Sequence, residues 1–259
     1  MLSKQDQIRY LNRELASVRK FLNSLRLAKP GKNKIHDIRI NIKKIVALIE
    51  LNKIRGYDAG NLPLLGLRSL FKETGVIRSS QIILSRLERS GVIEKKISDP
   101  HEEIIRVTTK KLVSEVPAYL KMVYAFRIEM STKKLNNISN DQVLLYHDLK
   151  SEYLKKIFKT PLDPDTLHEG RKQIKHVLYI QELMKPAIKK QLPFHFDNLN
   201  ELQDLIGKWH DTVVFLDFIR EFSIEKKYKG MKELIQKKKE QFEHITLFRQ
   251  NKNKEIFTS

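Results

Sequence analysis

One pattern is written into this chain twice, and any fold it adopts has to accommodate the duplication. Ile35-His36-Asp37-Ile38-Arg39 lines up with Leu167-His168-Glu169-Gly170-Arg171 at an offset of 132 residues. The same offset pairs Ile42 with Ile174, Lys43 with Lys175, Glu50 with Glu182 and Leu51 with Leu183. Beyond a loop, and without adjustment, it pairs Leu67 with Leu199, Leu70 with Leu202, Gly75 with Gly207, Arg78 with His210 and Leu84 with Leu216. Chance rarely keeps one offset across two segments and the loop that joins them. The flanking segments of each half align poorly, so the repeat is strongest in its middle.

The repeated unit is helical. Glycine and proline are scarce, at 9 and 8 residues, and apolar residues recur at steps of three and four. Ile8, Leu11, Leu15, Val18, Leu22 and Leu25 form one such stripe. It predicts a first helix over 2–27, closed by Lys29-Pro30-Gly31. A second helix is expected over 34–53, and a third within 62–90 with Pro63 in its first turn. A fourth is expected to open at Asp99, with Pro100 next and Glu102 in capping-box position, and to kink at Pro117 before ending near Ser131. A linker over 135–140 leads to a second set of four. These are expected at about 141–159, from Asp163-Pro164 to Met184, from a loop over 185–196 through Phe222, and at 225–250. No stretch alternates β-branched residues as a strand would.

At about 100° per residue, His36, Arg39 and Lys43 share one face of the second helix. Ile38, Ile42, Ile45 and Ile49 lie opposite. His168, Arg171 and Lys175 reproduce this geometry in the second copy. A basic face on one amphipathic helix ordinarily means solvent. Solvated faces usually mix signs for i,i+4 pairing, however, whereas the first two turns here offer only cations and neutral donors. The set is also duplicated while neighbouring surface positions drift. Arg presents a planar fork to phosphate oxygens, Lys a mobile point charge, and a His near a helix N-terminus sits where anions are favoured. One exposed ion pair is worth roughly 0.2–1 kcal/mol. Several cations converging on one polyanion could reach about 8 kcal/mol, the micromolar range. Glu50 and Glu182, beyond the lysines, read as groups that orient a basic side chain.

Composition agrees with an acidic partner. Lys and Arg outnumber Asp and Glu by 50 to 31, a formal charge of +19 and a pI near 9.9. Such an excess repels itself in the folded state. Nucleic acid, an anionic membrane and a free polyanion all qualify. With no cysteine, disulfides, thiol catalysis and Cys-based zinc sites are excluded. No apolar run approaches a membrane span, and the first residues contain no apolar signal-peptide core. The expectation is a cytoplasmic protein without membrane association.

The His-x-x-Arg-x-x-x-Lys helix, present twice, and the Leu-x-x-Leu…Gly-x-x-His-Asp helix resemble the CHAD family, the conserved histidine α-helical domain. Leu202-Gln203-Asp204-Leu205-Ile206-Gly207-Lys208-Trp209-His210-Asp211 is the most family-like stretch, followed by His168…Tyr179…Glu182-Leu183. The resemblance covers nearly the whole chain, 1–259. It implies an all-α fold of two antiparallel four-helix bundles, 1–135 and 140–259, related by a pseudo-two-fold repeat with a basic groove or pore between them. It also implies non-catalytic binding of inorganic polyphosphate, with no cofactor and no metal, and polyphosphate granules as one place such a module could sit. Carried over by motif, the polyphosphate-binding candidates are His36, Arg39, Lys43, Lys44 and Arg78, then His168, Arg171, Lys175 and His210. The chain departs from the family where Val46 and Leu178 stand in place of a further Arg, where His176 follows Lys175, and where Ser79 occupies the position that Asp211 keeps. The copies are therefore better described as two unequal half-sites.

Two other functions are weighed against this. His36-Asp37 and His210-Asp211 resemble the dipeptide of HD-type metal phosphohydrolases, but no His precedes His36, and the spacing of His195 from His210 does not fit. Nucleic-acid binding suits the pI, and Lys226-Lys227 with Lys237-Lys238-Lys239 could track a phosphate backbone. No recognition helix or run of exposed aromatics accompanies them. Weak cross-binding of nucleic acid is expected from shared phosphate chemistry alone. Trp209 and Phe215 read as core. Replacing Arg39 or Arg171 by Ala is expected to weaken binding without unfolding the protein.

Overall fold

The computed structural model describes residues 1–25, 31–54, 64–89, 95–159, 163–221 and 230–257. The backbone divides into two units, Met1–Ser139 and Asn140–Ser259. Among the described residues there is no strand, only an isolated pairing of Leu2 with Ile138. None of the described helices is long and apolar enough to cross a membrane.

The first unit holds α1 (Lys4–Leu25), α2 (Lys32–Lys53), α3 (Leu65–Arg89) and α4 (Lys95–Glu129), ending in a π-helical segment, Met130–Lys134. Ser3 opens α1 as a reciprocal cap: its Oγ accepts from the Asp6 amide (3.0 Å) and donates to the Asp6 carboxylate (2.6 Å). The expected stripe of α1 is inside from Leu11 onward, with Leu11, Leu15, Val18 and Leu22 no more than 1% exposed, while Ile8 is half-buried. The isoleucine face of α2 (Ile38, Ile42, Ile45, Ile49) is inside as well. A polar link ties α3 to α4. Glu73 is buried, accepts from the Tyr119 hydroxyl at 3.0 Å and pairs with Lys111 at 2.6 Å.

The fourth helix departs from expectation. It begins at Lys95 and runs through Pro100 and Pro117, so no cap forms at Asp99. Neither proline can donate to the carbonyl four residues back, those of Lys96 and Val113, which costs up to about 3 kcal/mol in a helix interior. The extension places Ile97 and His101 in the interior, 7% and 8% exposed. A buried isoleucine returns about 1.5–3 kcal/mol, enough to carry the helix across an early proline. After the π segment the chain runs back to its own start. Leu2 and Ile138 exchange two backbone hydrogen bonds of 2.9 Å, Asn137 accepts from the Lys4 amide at 2.8 Å, and buried Gln7 donates to the Asn136 carbonyl at 2.6 Å. The stretch expected as a linker is thus the clasp of the first unit.

The second unit holds α5 (Asn140–Lys159), α6 (Pro164–Gln181), α7 (Pro186–Lys189), α8 (Phe196–Glu221) and α9 (Met231–Ile256). Asp163 caps α6 as its spacing predicts, its Oδ1 accepting from the amides of Asp165 and Thr166 at 2.9 Å each, with Pro164 in the first turn. The helix ends at Gln181 rather than Met184, and the expected loop contains the single turn of α7. Leu167, Ile174 and Val177 of α6 pack with Leu199, Leu202, Ile206 and Trp209 of α8. Trp209, 2% exposed, lies 5.8 Å from the Phe242 ring of α9, and Phe215 is equally buried. The turn expected at Lys29-Pro30, the helix start at Pro63, the helix end at Phe222 and the pair Lys226-Lys227 lie outside the described residues.

Candidate anion-binding site

In the first unit α2 carries His36, Arg39, Lys43 and Lys44, and α3 carries Arg78. His36 is exposed, while Arg39, Lys43, Lys44 and Arg78 are half-buried. The centre of the group is Arg39. Its guanidinium lies over the Phe71 ring, 3.9 Å from the centroid, and its Nη1 donates to the Phe71 carbonyl at 2.5 Å. Lys43 approaches the same ring, with its Nζ 5.7 Å from the centroid. Burial, and then the charge of Arg78, push the pKa of Arg39 down from its ordinary value.

Gly75 makes this contact possible. In a helix the amide of residue 75 uses one lone pair of the residue 71 carbonyl, and the other points sideways. A Cβ at position 75 would stand 2.7 Å from Nη1 of Arg39, in the space the guanidinium occupies. The glycine is a notch through which the arginine reaches a carbonyl already in helical use.

The second unit carries the same device 132 positions on. Nε of Arg171 on α6 donates to the Gln203 carbonyl of α8 at 3.1 Å. A Cβ at Gly207 would stand 2.6 Å from Nη2 of Arg171. The aromatic platform is missing, because Gln203 stands where the first unit has Phe71. His168, exposed on α6, and His210, half-buried on α8, bring their ring centroids to 5.4 Å. Burial pushes the His210 pKa down, as do the charges of His168 and Arg171, while Asp211 pulls it up. Lys175 is half-buried, one turn along α6 from Arg171.

The geometry therefore gathers Arg39, Lys43 and Arg78 in one unit and His168, Arg171 and His210 in the other. His36, Lys44 and Lys175 are placed by the helices that carry them. The position after Lys175 is not on the basic face, since His176 is buried at 9% exposure. Two participants are not apparent from the repeat. Phe71 is hidden because comparison of the halves favours identities. Tyr179, half-buried, has Ala47 as its counterpart. Its hydroxyl is pushed up to about 12 by burial, against the Arg171 charge and with that of Glu182, so it stays a protonated donor beside Arg171. Among the described residues no three His, Asp or Glu side chains converge as metal ligands would.

Comparison with known proteins agrees with this architecture. The sequence model of the CHAD domain matches residues 132–220. The crystal structure of the CHAD domain from the plant Ricinus communis superposes with a TM-score of 0.69 at 12% sequence identity, covering 96% of this chain and 91% of that one. No curated protein matches by sequence. The resemblance expected from the duplicated motif is met by the CHAD-domain sequence model over residues 132–220, and the chain has the fold of a CHAD domain.

Proposed function

We propose that this protein binds inorganic polyphosphate without catalysis, using His36, Arg39, Lys43, Lys44 and Arg78 in one unit and His168, Arg171, Lys175 and His210 in the other. The observation that carries the reading is a basic cluster built around an anchored arginine twice, at matched positions: Arg39 on the Phe71 carbonyl, and Arg171 on the Gln203 carbonyl with the His168 and His210 rings 5.4 Å apart. Burial first, and then neighbouring basic groups, disfavour the charged forms of Arg39 and His210. Such clusters oppose folding until an anion joins them, and a polyanion relieves several contacts at once. The +19 charge and the polyphosphate ligand implied by the family resemblance point the same way. Under this reading the sequence repeat is a duplicated half-site, and a long phosphate chain serves both copies. Cytoplasmic polyphosphate granules are then an expected location, checked by imaging a tagged chain.

The test is a titration with long-chain polyphosphate against DNA at equal phosphate, with monophosphate and triphosphate beside them. Polyphosphate is expected to bind tightest and to raise the melting temperature. Its affinity should fall with salt at a log–log slope of about −4 to −5, from six permanently charged Lys and Arg at about 0.7–0.9 ions each. Tighter binding of DNA, or no binding of polyphosphate at low salt, would sink the proposal. Phosphate release with magnesium or manganese, lost in His210→Ala, would favour the HD-type phosphohydrolase instead.

A further inference from the structure

The half-sites differ at one position in a way that changes their chemistry. Arg78 in the first unit corresponds to His210 in the second. A guanidinium keeps its charge across the physiological range, whereas an imidazole gains or loses its charge near neutrality. His210 is placed to respond to what occupies the site. It is half-buried on α8, with the His168 ring 5.4 Å away on α6. The charges acting on it are His168 and Arg171 from α6 and Asp211 from α8 itself. The other face of α8 is taken by α9, through Phe242 on Trp209. Partial burial first, and then the neighbouring His168 and Arg171, disfavour protonation of His210. A phosphate group among His168, Arg171 and His210 reverses that balance, because it offers the imidazolium an anionic partner.

We infer that His210 is a specificity-determining residue that makes the second half-site's hold on phosphate proton-linked, whereas Arg78 gives the first half-site a constant charge. The inference rests on the polyphosphate reading above. One half-site then grips at any pH, and the other tightens as protons become available. For each proton taken up on binding, affinity rises about tenfold per pH unit of acidification. His36, exposed in the first unit, is present in every protein compared below, so the contribution of position 210 is read by difference.

The experiment measures long-chain polyphosphate affinity at constant ionic strength near pH 6 and near pH 8, for the whole chain and for the variants His210→Arg and Arg78→His. The unaltered chain is expected to bind about ten- to a hundredfold tighter at the lower pH. His210→Arg should bind at both values with a much smaller difference, and Arg78→His should show a larger one. Should His210→Arg fold poorly, the imidazole signals of the unaltered chain give the second readout: the His210 titration midpoint moves upward when polyphosphate is added. A His210→Arg protein that keeps the original pH dependence, or a His210 midpoint that polyphosphate leaves in place, overturns this inference alone. Absence of binding at either pH overturns the proposed function with it.

Discussion

Arg39→Ala is expected to lower the unfolding free energy by about 2 kcal/mol and to weaken polyphosphate binding by at least about tenfold. Both effects come from one side chain. The hydrogen bond of Nη1 to the Phe71 carbonyl is charge-assisted, worth about 1.5–3 kcal/mol, and the guanidinium stacks on the Phe71 ring at 3.9 Å, worth about 0.5–2 kcal/mol. Relief of repulsion from Arg78 offsets part of that loss. Arg171→Ala should cost less stability, because the Gln203 carbonyl accepts at 3.1 Å and Gln203 stands where the first unit has the Phe71 ring. Gly75→Ala and Gly207→Ala separate the two roles. Each keeps the charge but fills the notch, where a Cβ would meet the guanidinium at 2.7 Å or 2.6 Å. The gain of about 1 kcal/mol when Ala replaces Gly in a helix offsets part of the lost hydrogen bond. These variants should therefore lose less stability than Arg39→Ala and still bind polyphosphate about tenfold more weakly. If Gly75→Ala binds normally, the notch is a packing device and the position of Arg39 is not part of recognition.

How far the sequence reaches can be judged from individual residues. The isoleucine face of α2 and the stripe of α1 are legible because burial writes a 3.6-residue period directly into the chain. Asp163 and Pro164 are legible because a cap is a local device. Gly75 and Gly207 are legible as a matched pair, but their purpose is not, since it consists of an absent Cβ meeting a side chain from another helix. The start of α4 is misplaced for a related reason. Pro100 is a strong local signal for a helix start, and the burial of Ile97 and His101 outweighs it only through contacts distant in sequence. The clasp of Leu2 and Ile138 is invisible, because two extended residues carry no period. Within the candidate site, the basic helix faces are readable from spacing. The pairing of His168 with His210, and of Arg39 with Arg78, depends on how α6 packs on α8 and α2 on α3. That packing is tertiary information which a single repeat offset can suggest but not position.

Acidification is expected to weaken the second unit through a residue outside the binding site. His147 on α5 is fully buried, with 0% exposure. Its Nδ1 lies 2.8 Å from the Val143 carbonyl, so Nδ1 carries the hydrogen and donates it. Nε2 is then a lone pair with no partner among the described residues. A proton there would create a buried charge. Burial, and secondarily the charge of Lys150, bring the His147 pKa down to about 4, against the hydrogen bond to Val143, which favours the charged ring. The folded value is thus depressed below the unfolded value of about 6.5. Between them the unfolded chain binds the proton and the folded chain does not, so stability rises with pH across that window. Stability should be level above about pH 6.5, fall as pH drops towards 4, and lose roughly 3 kcal/mol in all from this group. Other histidines and carboxylates titrate over the same range, so the measurement is a difference. Urea unfolding of the unaltered chain and of His147→Leu is compared near pH 7.5 and near pH 5. His147→Leu removes the empty acceptor and keeps an apolar side chain against Phe194, whose ring lies 6.3 Å from the imidazole. It should lose clearly less stability on acidification than the unaltered chain does. Equal losses would show that the imidazole finds a partner for its second nitrogen, and that the acid sensitivity of this unit lies elsewhere.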